Sequence, residues 1–445
     1  MKLTKVSLAA LVALGAFSSV ASATPLEEAI KNVDLSGFAR YRYTNDHYKS
    51  SPDTKAKTND TASHAFRMET AFKAAIDDNF FGVLRLRYST SDGSGDNAGA
   101  GTDKTNTTGT FGVYEMYLGY KVADTTITAG KQLVKGFFID SDIAGTGLKV
   151  VSTDVPGLTL TAAAYDAIDN DADIDRNAPV APAVVGTPKK DAFGHIKYKA
   201  KSPDIDGPLL SRLGSDEFSD AAGNIYNLGA MGNYDPVSFK VAITNIQEVA
   251  TLYGTEAGVS FNVTDDVNLN LKGQYAYSDS DHKKVADATF WAVQAGTKLF
   301  GAKLNAGYLD FDAKNKENDA KNKDKIAFTS IDGNGELINP TKILNGVMSG
   351  GSQYYNNIKG NNDYWFVNAG YDIDKFGFGA GYTQGKGTSY ALGKERAKRN
   401  EWSLDASYKY SKKLTFLSWY AAAKDKKDGA SYKQDRIRFE AKYSF

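Results

Sequence analysis

The chain has 445 residues, with 53 Lys and Arg against 53 Asp and Glu, four His and no Cys. That balance gives no electrostatic case for nucleic acid, and the missing cysteines exclude a disulfide framework and thiol chemistry. A mean hydropathy of -0.41 reads as a soluble protein, yet it also fits a membrane-spanning β-barrel, in which every second wall residue faces water.

At the N-terminus, Lys2 and Lys5 precede a short apolar run, Val6 to Ser18, and Ala21-Ser22-Ala23 forms an A-x-A cleavage signal. Residues 1–23 are expected to be a secretory signal peptide, the run being too short and Ala-rich to span a bilayer as a helix. No other stretch holds about 18 apolar residues free of charge, so no transmembrane helix is expected. Residues 24–34 then form a short periplasmic segment and 35–445 a single domain.

From residue 35 one unit repeats: alternating segment, tight turn, alternating segment, long polar loop. Phe66, Met68, Thr70 and Phe72 alternate with Arg67, Glu69, Ala71 and Lys73. Asp77-Asp78-Asn79 makes a turn, and Phe80, Gly82, Leu84 and Leu86 continue the apolar face, with Arg85 and Arg87 opposite. A loop rich in Gly, Asn, Asp and Thr follows, from Ser91 to about Thr110. The unit recurs through Ala123-Asp124, Asp265-Asp266, Phe300-Gly301, Asp374 and Ser411-Lys412-Lys413. Trp291, Trp365 and Trp402 each open an alternating segment, and Ile437, Phe439, Ala441, Tyr443 and Phe445 close the last one. All ten prolines fall outside these segments, as a ladder that needs its N–H donors requires. Five of them mark residues 167–223 as a long loop, and 311–362 is read as another. The alternating segment Ala192–Lys199 is assigned to the first of these loops, because counting it would break parity.

The predicted fold is all-β: a transmembrane antiparallel barrel of about eighteen strands, with short periplasmic turns and long external loops. Tyr and Phe, at 26 and 23 residues, suit its strands and its aromatic girdles. A secreted β-sandwich or β-helix would explain the alternation, but not the signal peptide, the turn and loop asymmetry and the terminal Phe together.

Alternation predicts which side chains enter the lumen. Arg40, Arg42, Arg67, Lys73, Arg85 and Arg87 come from the first three strands, and Arg436 and Arg438 from the last. Barrel closure makes first and last strands neighbours, so these arginines are expected to form one pore-lining basic wall, whose charge does not titrate away. Local pairing with lumen acids such as Glu69 and Glu440 is compatible with that role. The loop 133–146 is too apolar to hang in solvent. Phe137, Phe138, Ile139 and Ile143 make sense if it folds inward as a constriction, carrying Asp140 and Asp142 into the pore. Acids facing arginines would set up a transverse field. Asp166, Asp169, Asp171, Asp173 and Asp175 form an acidic run whose hard oxygen donors suit Ca²⁺, although the Gly and terminal Glu of an EF-hand loop are missing. Asp140, Asp142, Asp171, Asp173 and Asp175 are the candidate calcium ligands; a solvated acidic loop is the competing reading.

No G-x-S-x-G, H-E-x-x-H or P-loop motif is present. His47, His64, His195 and His282 all fall in or beside predicted loops, so no enzymatic activity is expected and a barrel-embedded hydrolase is the weakest reading. Strand one begins near Leu35, which leaves no room for the plug of an energy-coupled transporter or for an autotransporter passenger.

Thr24-Pro25-Leu26-Glu27-Glu28-Ala29-Ile30-Lys31, Arg40-Tyr41-Arg42-Tyr43, Ala129-Gly130-Lys131-Gln132, Gly145-Thr146-Gly147-Leu148-Lys149-Val150-Val151 and Gly157-Leu158-Thr159-Leu160 lie in the first third of the chain. As a set they resemble the campylobacter-type major outer membrane porin family. The later chain matches in strand rhythm and in its terminal Phe. The resemblance implies an eighteen-stranded, homotrimeric, somewhat cation-favouring general diffusion porin with Ca²⁺ near its constriction. Between Gln132 and Gly145 the chain is shorter than the family pattern, so Asp140 and Asp142 both stand as candidates for one ligand's place. The expected function is passive passage of ions and small hydrophilic solutes, in a Gram-negative outer membrane among lipid and lipopolysaccharide, with no required cofactor. The alternative is a barrel acting mainly as a surface adhesin through its long loops.

Overall fold

The computed structural model describes residues 33–51, 59–95, 111–139, 142–169, 189–190, 196–197, 223–314, 325–331, 333–344, 361–389, 392 and 395–445. The expected signal peptide and residues 24–32 lie outside this set.

Eighteen strands close into one antiparallel barrel. The first seven are β1 (Val33–Ser51), β2 (Asn59–Ala75), β3 (Phe80–Gly95), β4 (Gly112–Val122), β5 (Thr125–Leu133), β6 (Ala144–Ser152) and β7 (Leu158–Asp169). Among the described residues, two-residue strands β8 (Lys189–Lys190) and β9 (Ile196–Lys197) pair only with each other, so Ile196–Lys197, the described part of the 192–199 alternation, stands outside the wall. The wall resumes with β10 (Ile225–Tyr234), β11 (Val237–Ile246), β12 (Ala250–Thr264), β13 (Val267–Ser280), β14 (Ala288–Leu299) and β15 (Ala302–Ala313). It ends with β16 (Asn361–Ile373), β17 (Phe376–Ser389), β18 (Glu395–Lys409), β19 (Leu414–Lys427) and β20 (Ala430–Ser444). Each wall strand pairs with its sequence neighbour, β7 with β10, and β1 with β20, running from Phe38 opposite Ser444 to Ser51 opposite Ser431. Gly37 and Phe445 exchange both backbone hydrogen bonds, at 3.1 and 3.0 Å, which seals the end of the seam.

The period-two pattern places the faces as the sequence predicts. Outward residues such as Leu118, Leu228, Val293, Phe378, Leu404 and Ile437 stay exposed, and in a bilayer this belt meets lipid. Three outward tryptophans pack at a tilt against tyrosines on the neighbouring strand, with ring centroids 5.2–5.3 Å apart: Trp291 on Tyr308, Trp365 on Tyr382 and Trp402 on Tyr420. Such amphipathic rings are the stuff of an interfacial girdle. At the predicted turn Phe300-Gly301 both central residues have positive φ, the hairpin geometry that matches strand twist; Asp428-Gly429, between β19 and β20 on the long-loop side, has the same geometry.

Two expectations need correction. Strands run further on the long-loop side than the apolar pattern does, so His47 lies within β1 and His64 within β2 rather than in loops. The ladder needs only backbone donors and acceptors, and it continues through polar sequence once past the lipid. His64 Nδ1 there hydrogen-bonds the Tyr41 hydroxyl at 2.9 Å. Second, the inner face is not polar throughout. Ile225, Leu252, Phe290, Leu309, Phe311 and Phe366 are fully or almost fully buried on the inward side, because chain packs against them inside the barrel.

Candidate functional site

That inner packing is done by two loops. The first is the β5–β6 connection, residues 134–143, shorter at its C-terminal end than the predicted 133–146 because β6 already starts at Ala144. Val134, Phe137, Phe138, Ile139 and Ile143 are all 0–5% exposed and belong to one apolar cluster with the inner faces of β10–β16. Gly254 on β12 is where the wall admits this loop: a β-carbon there would collide with the Phe138 ring and stand 2.8 Å from Phe137. Four residues after Phe138, Asp142 reaches the opposite wall. Its carboxylate lies 2.9 Å from Arg67 of β2 and 3.7 Å from Arg87 of β3, and its carbonyl accepts the Tyr114 hydroxyl at 2.6 Å. Between β2 and β12 stand seven strands one way round and nine the other, so the loop crosses close to a diameter of the lumen.

The second loop, 325–344, joins β15 to β16 and was expected outside, within 311–362. It instead folds in and lies along the first. Ile331 donates to the Phe138 carbonyl at 2.7 Å and Glu336 to that of Phe137 at 2.9 Å; Ile331 and Ile139 form a parallel bridge. The wall grips this loop by its backbone. Gln274 of β13 accepts from Ile338 N–H at 2.7 Å and donates to the Glu336 carbonyl at 2.9 Å. Glu401 of β18 accepts three successive N–H groups, from Lys342, Ile343 and Leu344, at 2.6, 2.8 and 2.7 Å. Ile331, Leu337, Ile338, Ile343 and Leu344 are buried. Their signal in the sequence is the one that marks Phe137–Ile143: large apolar side chains inside a loop otherwise too polar to hold them.

The open part of the lumen is left beside β1–β4 and β18–β20. Arg40 and Arg67 stand directly opposite each other, and Arg42 opposite Glu440. All seven predicted wall arginines face inward here, and acids are threaded between them. Arg42 binds Glu440 at 2.7 Å, with Arg40 3.9 Å from the same oxygen. Arg87 binds Glu69 at 2.7 Å, and Arg85 binds Glu115 at 2.9 Å and Glu69 at 3.6 Å. Arg436 binds Asp46 at 2.6 Å. Arg438 donates to Thr44 at 3.2 Å and lies over Trp419, 4.9 Å from its ring centroid. Glu115 and Asp46, absent from the predicted set, were recoverable from their inward parity on β4 and β1.

Asp142 is half exposed. Burial opposes its ionisation, but the Arg67 guanidinium and its hydrogen bond, with Arg87 and Arg40 behind, outweigh burial and hold the carboxyl below the ordinary carboxylate value. Glu336, on the second loop, is likewise about half exposed and ion-paired to Lys240 of β11 at 2.5 Å. Among the described residues, each crossing loop thus presents a half-exposed carboxylate to water.

Of the candidate calcium ligands, Asp140, Asp171, Asp173 and Asp175 lie outside the described residues. Both oxygens of Asp142 face guanidinium groups, and among the described residues no three His, Asp or Glu side chains gather as a metal site. Asp142 is the one member of that set among the described residues, and its carboxylate is engaged by Arg67 and Arg87.

No curated protein matches the chain. Among solved structures it is similar to OccK7 (OpdD) of Pseudomonas aeruginosa, at 13% identity over 92% of this chain and 99% of that one, TM-score 0.59. It is also similar to OpdQ of the same organism, at 12% over 93% and 99%, TM-score 0.61, and to OccAB3 of Acinetobacter baumannii, at 12% over 93% and 100%, TM-score 0.60. At such identities the likeness is one of fold. The family model described as Campylobacter major outer membrane protein matches residues 1–445, and the chain belongs to that family: it is an outer-membrane porin.

Proposed function

We propose that the chain is a general diffusion porin, passing ions and small hydrophilic solutes down their gradients through a water-filled lumen without covalent chemistry. The observation that carries this is the crossing of the lumen by 134–143, which narrows the barrel and leaves a half-exposed carboxylate against an arginine wall. Fixed charges of both signs at a narrowing act on solutes by orientation and field and hold none tightly. The ion pairs among the arginines also offset much of the wall's positive charge, and Asp142 adds a carboxylate at the narrowing. Export through the residue 1–23 signal, a short periplasmic segment before β1 and assembly as a homotrimer among lipid and lipopolysaccharide belong to the same reading.

The purified protein in a planar bilayer should give stepwise conductance; a membrane that stays at the lipid baseline sinks the reading. Asp142→Asn should move the reversal potential in a salt gradient toward anions, because it removes a negative charge from beside Arg67 and Arg87. An unmoved potential would remove this loop from the conducting path.

A further inference from the structure

On the short-turn side of the second loop, the inner wall opens into a recess of ≈ 410 Å³, within the range of about 300–1,000 Å³ typical of small-molecule sites. Its floor is β15 to β18 and its roof the segment Asn339, Pro340 and Lys342. This wall contrasts with the arginine side. Its charges face each other: Lys303 lies 2.8 Å from Asp372, and Lys342 3.9 Å from Asp405. What it offers a solute is neutral. The carboxamides of Asn305 and Asn368 and the hydroxyls of Ser403 and Ser407 line the recess, and none of these four side chains is hydrogen-bonded to another described group.

Glycine makes the room. Gly377, Gly379 and Gly381 occupy successive inward positions of β17. A β-carbon on Gly381 would stand 2.6 Å from Asn368 Oδ1 and 3.0 Å from Ser403 Oγ, and one on Gly377 2.6 Å from Ser407 Oγ. The strand is notched where its neighbours' polar ends lie, as strands are where something approaches the backbone closely.

We infer that this recess is a binding subsite for neutral polyhydroxylated solutes, sugars of one or two rings, on their way through the lumen; the inference rests on the porin reading. A sugar hydroxyl both donates and accepts, and so do a carboxamide and a serine hydroxyl, so each free group can take either role. An ion finds no uncompensated partner here, whereas a polyol finds four unengaged hydrogen-bonding groups.

Calorimetric titration of sucrose into the detergent-solubilised full chain tests the subsite. Saturable binding in the millimolar range is expected. Asn368→Ala and Ser403→Ala should each weaken it about threefold to tenfold, the loss of one hydrogen bond. Gly381→Ala, which pushes on the same two side chains, should weaken it as well. Ser260→Ala, on β12 outside the recess, should bind as the parent does, and each variant's folding is checked by heat-dependent migration in electrophoresis. Absence of saturation in the parent, or binding by folded Asn368→Ala and Ser403→Ala equal to the parent's, overturns the inference. The titration does not depend on conductance: a protein that conducts but does not bind sucrose refutes the subsite alone, and one that does not conduct refutes the porin reading.

Discussion

The two inward loops reach the same place by different means. Residues 134–143 are held by side chains: Phe137, Phe138, Ile139 and Ile143 are buried on the inner wall, with Asp142 ion-paired to Arg67 and Arg87 at the far end. Residues 325–344 are held as much by their backbone, gripped by Gln274 and Glu401 from the wall. A loop anchored by apolar area can shift locally at the loss of some contact. A loop whose N–H groups converge on one carboxylate has a single point of failure, because an orphaned buried donor is costly. The difference teaches that the barrel has a graded device beside an all-or-none one, and it can be attacked from either side.

The largest effect should come from Glu401→Ala. Three N–H groups lose their acceptor, at about 1–3 kcal/mol each, so the 339–344 segment should leave the wall. Faster proteolysis within it and a higher single-channel conductance are the readouts; unchanged values for both would show that the apolar residues Ile343 and Leu344 hold it alone. Next is Phe138→Ala, at about 3–5 kcal/mol for a buried aromatic. Because Phe138 also accepts from Ile331 through its backbone, both loops should loosen, and the melting temperature of the folded barrel should drop without the conductance jump of the Glu401 variant. Gly254→Ala is a milder attack on the same contact, at about 1–3 kcal/mol of overpacking, and its thermal shift should be smaller than that of Phe138→Ala. The smallest effect concerns pH. Asp142 has its carboxyl depressed, so its pairing stabilises the first loop fully above the unfolded value of about 3.9. That contribution is lost as pH falls through the lower folded value. Cation preference in the bilayer should therefore hold down to mildly acid pH and decline below it, and Asp142→Asn should show no such decline.

Strand number and facing were legible because the period-two pattern is local: one reads Phe66, Met68 and Thr70 against Arg67 and Glu69 without knowing anything distant. Strand ends were less legible. Near His47 and His64 hydrophobicity stops while the hydrogen-bonded ladder goes on, and hydrophobicity reports lipid, not pairing. The arginine wall and its pairing with Glu69 and Glu440 could be read from parity, but its link to the loop could not, since Asp142 meets Arg67 through folding of a loop across the lumen. The first crossing loop showed itself because four large apolar residues sit within seven positions. The second spreads the same signal from Ile326 to Leu344 inside a long polar stretch, where it is diluted. The Glu401 grip was invisible for another reason: a lone inward glutamate gives no sign that its partners are backbone groups nearly sixty residues away.

The seam between β1 and β20 joins the two ends of the described wall, with Phe38 opposite Ser444 and Gly37 bonded to Phe445. This is the longest-range strand pairing among the described residues, and it sets the order of events in folding. Until the last strand arrives, both seam strands carry unpaired N–H and C=O groups that lipid cannot satisfy, and pairing over such a sequence distance is slow. A growing sheet must therefore be kept soluble, or its free edges covered, until the final strand docks. The crossing loops, packed on an inner wall that exists only once the cylinder is shut, settle after that. Closure is the committing step of folding, and the pore is the last thing to form.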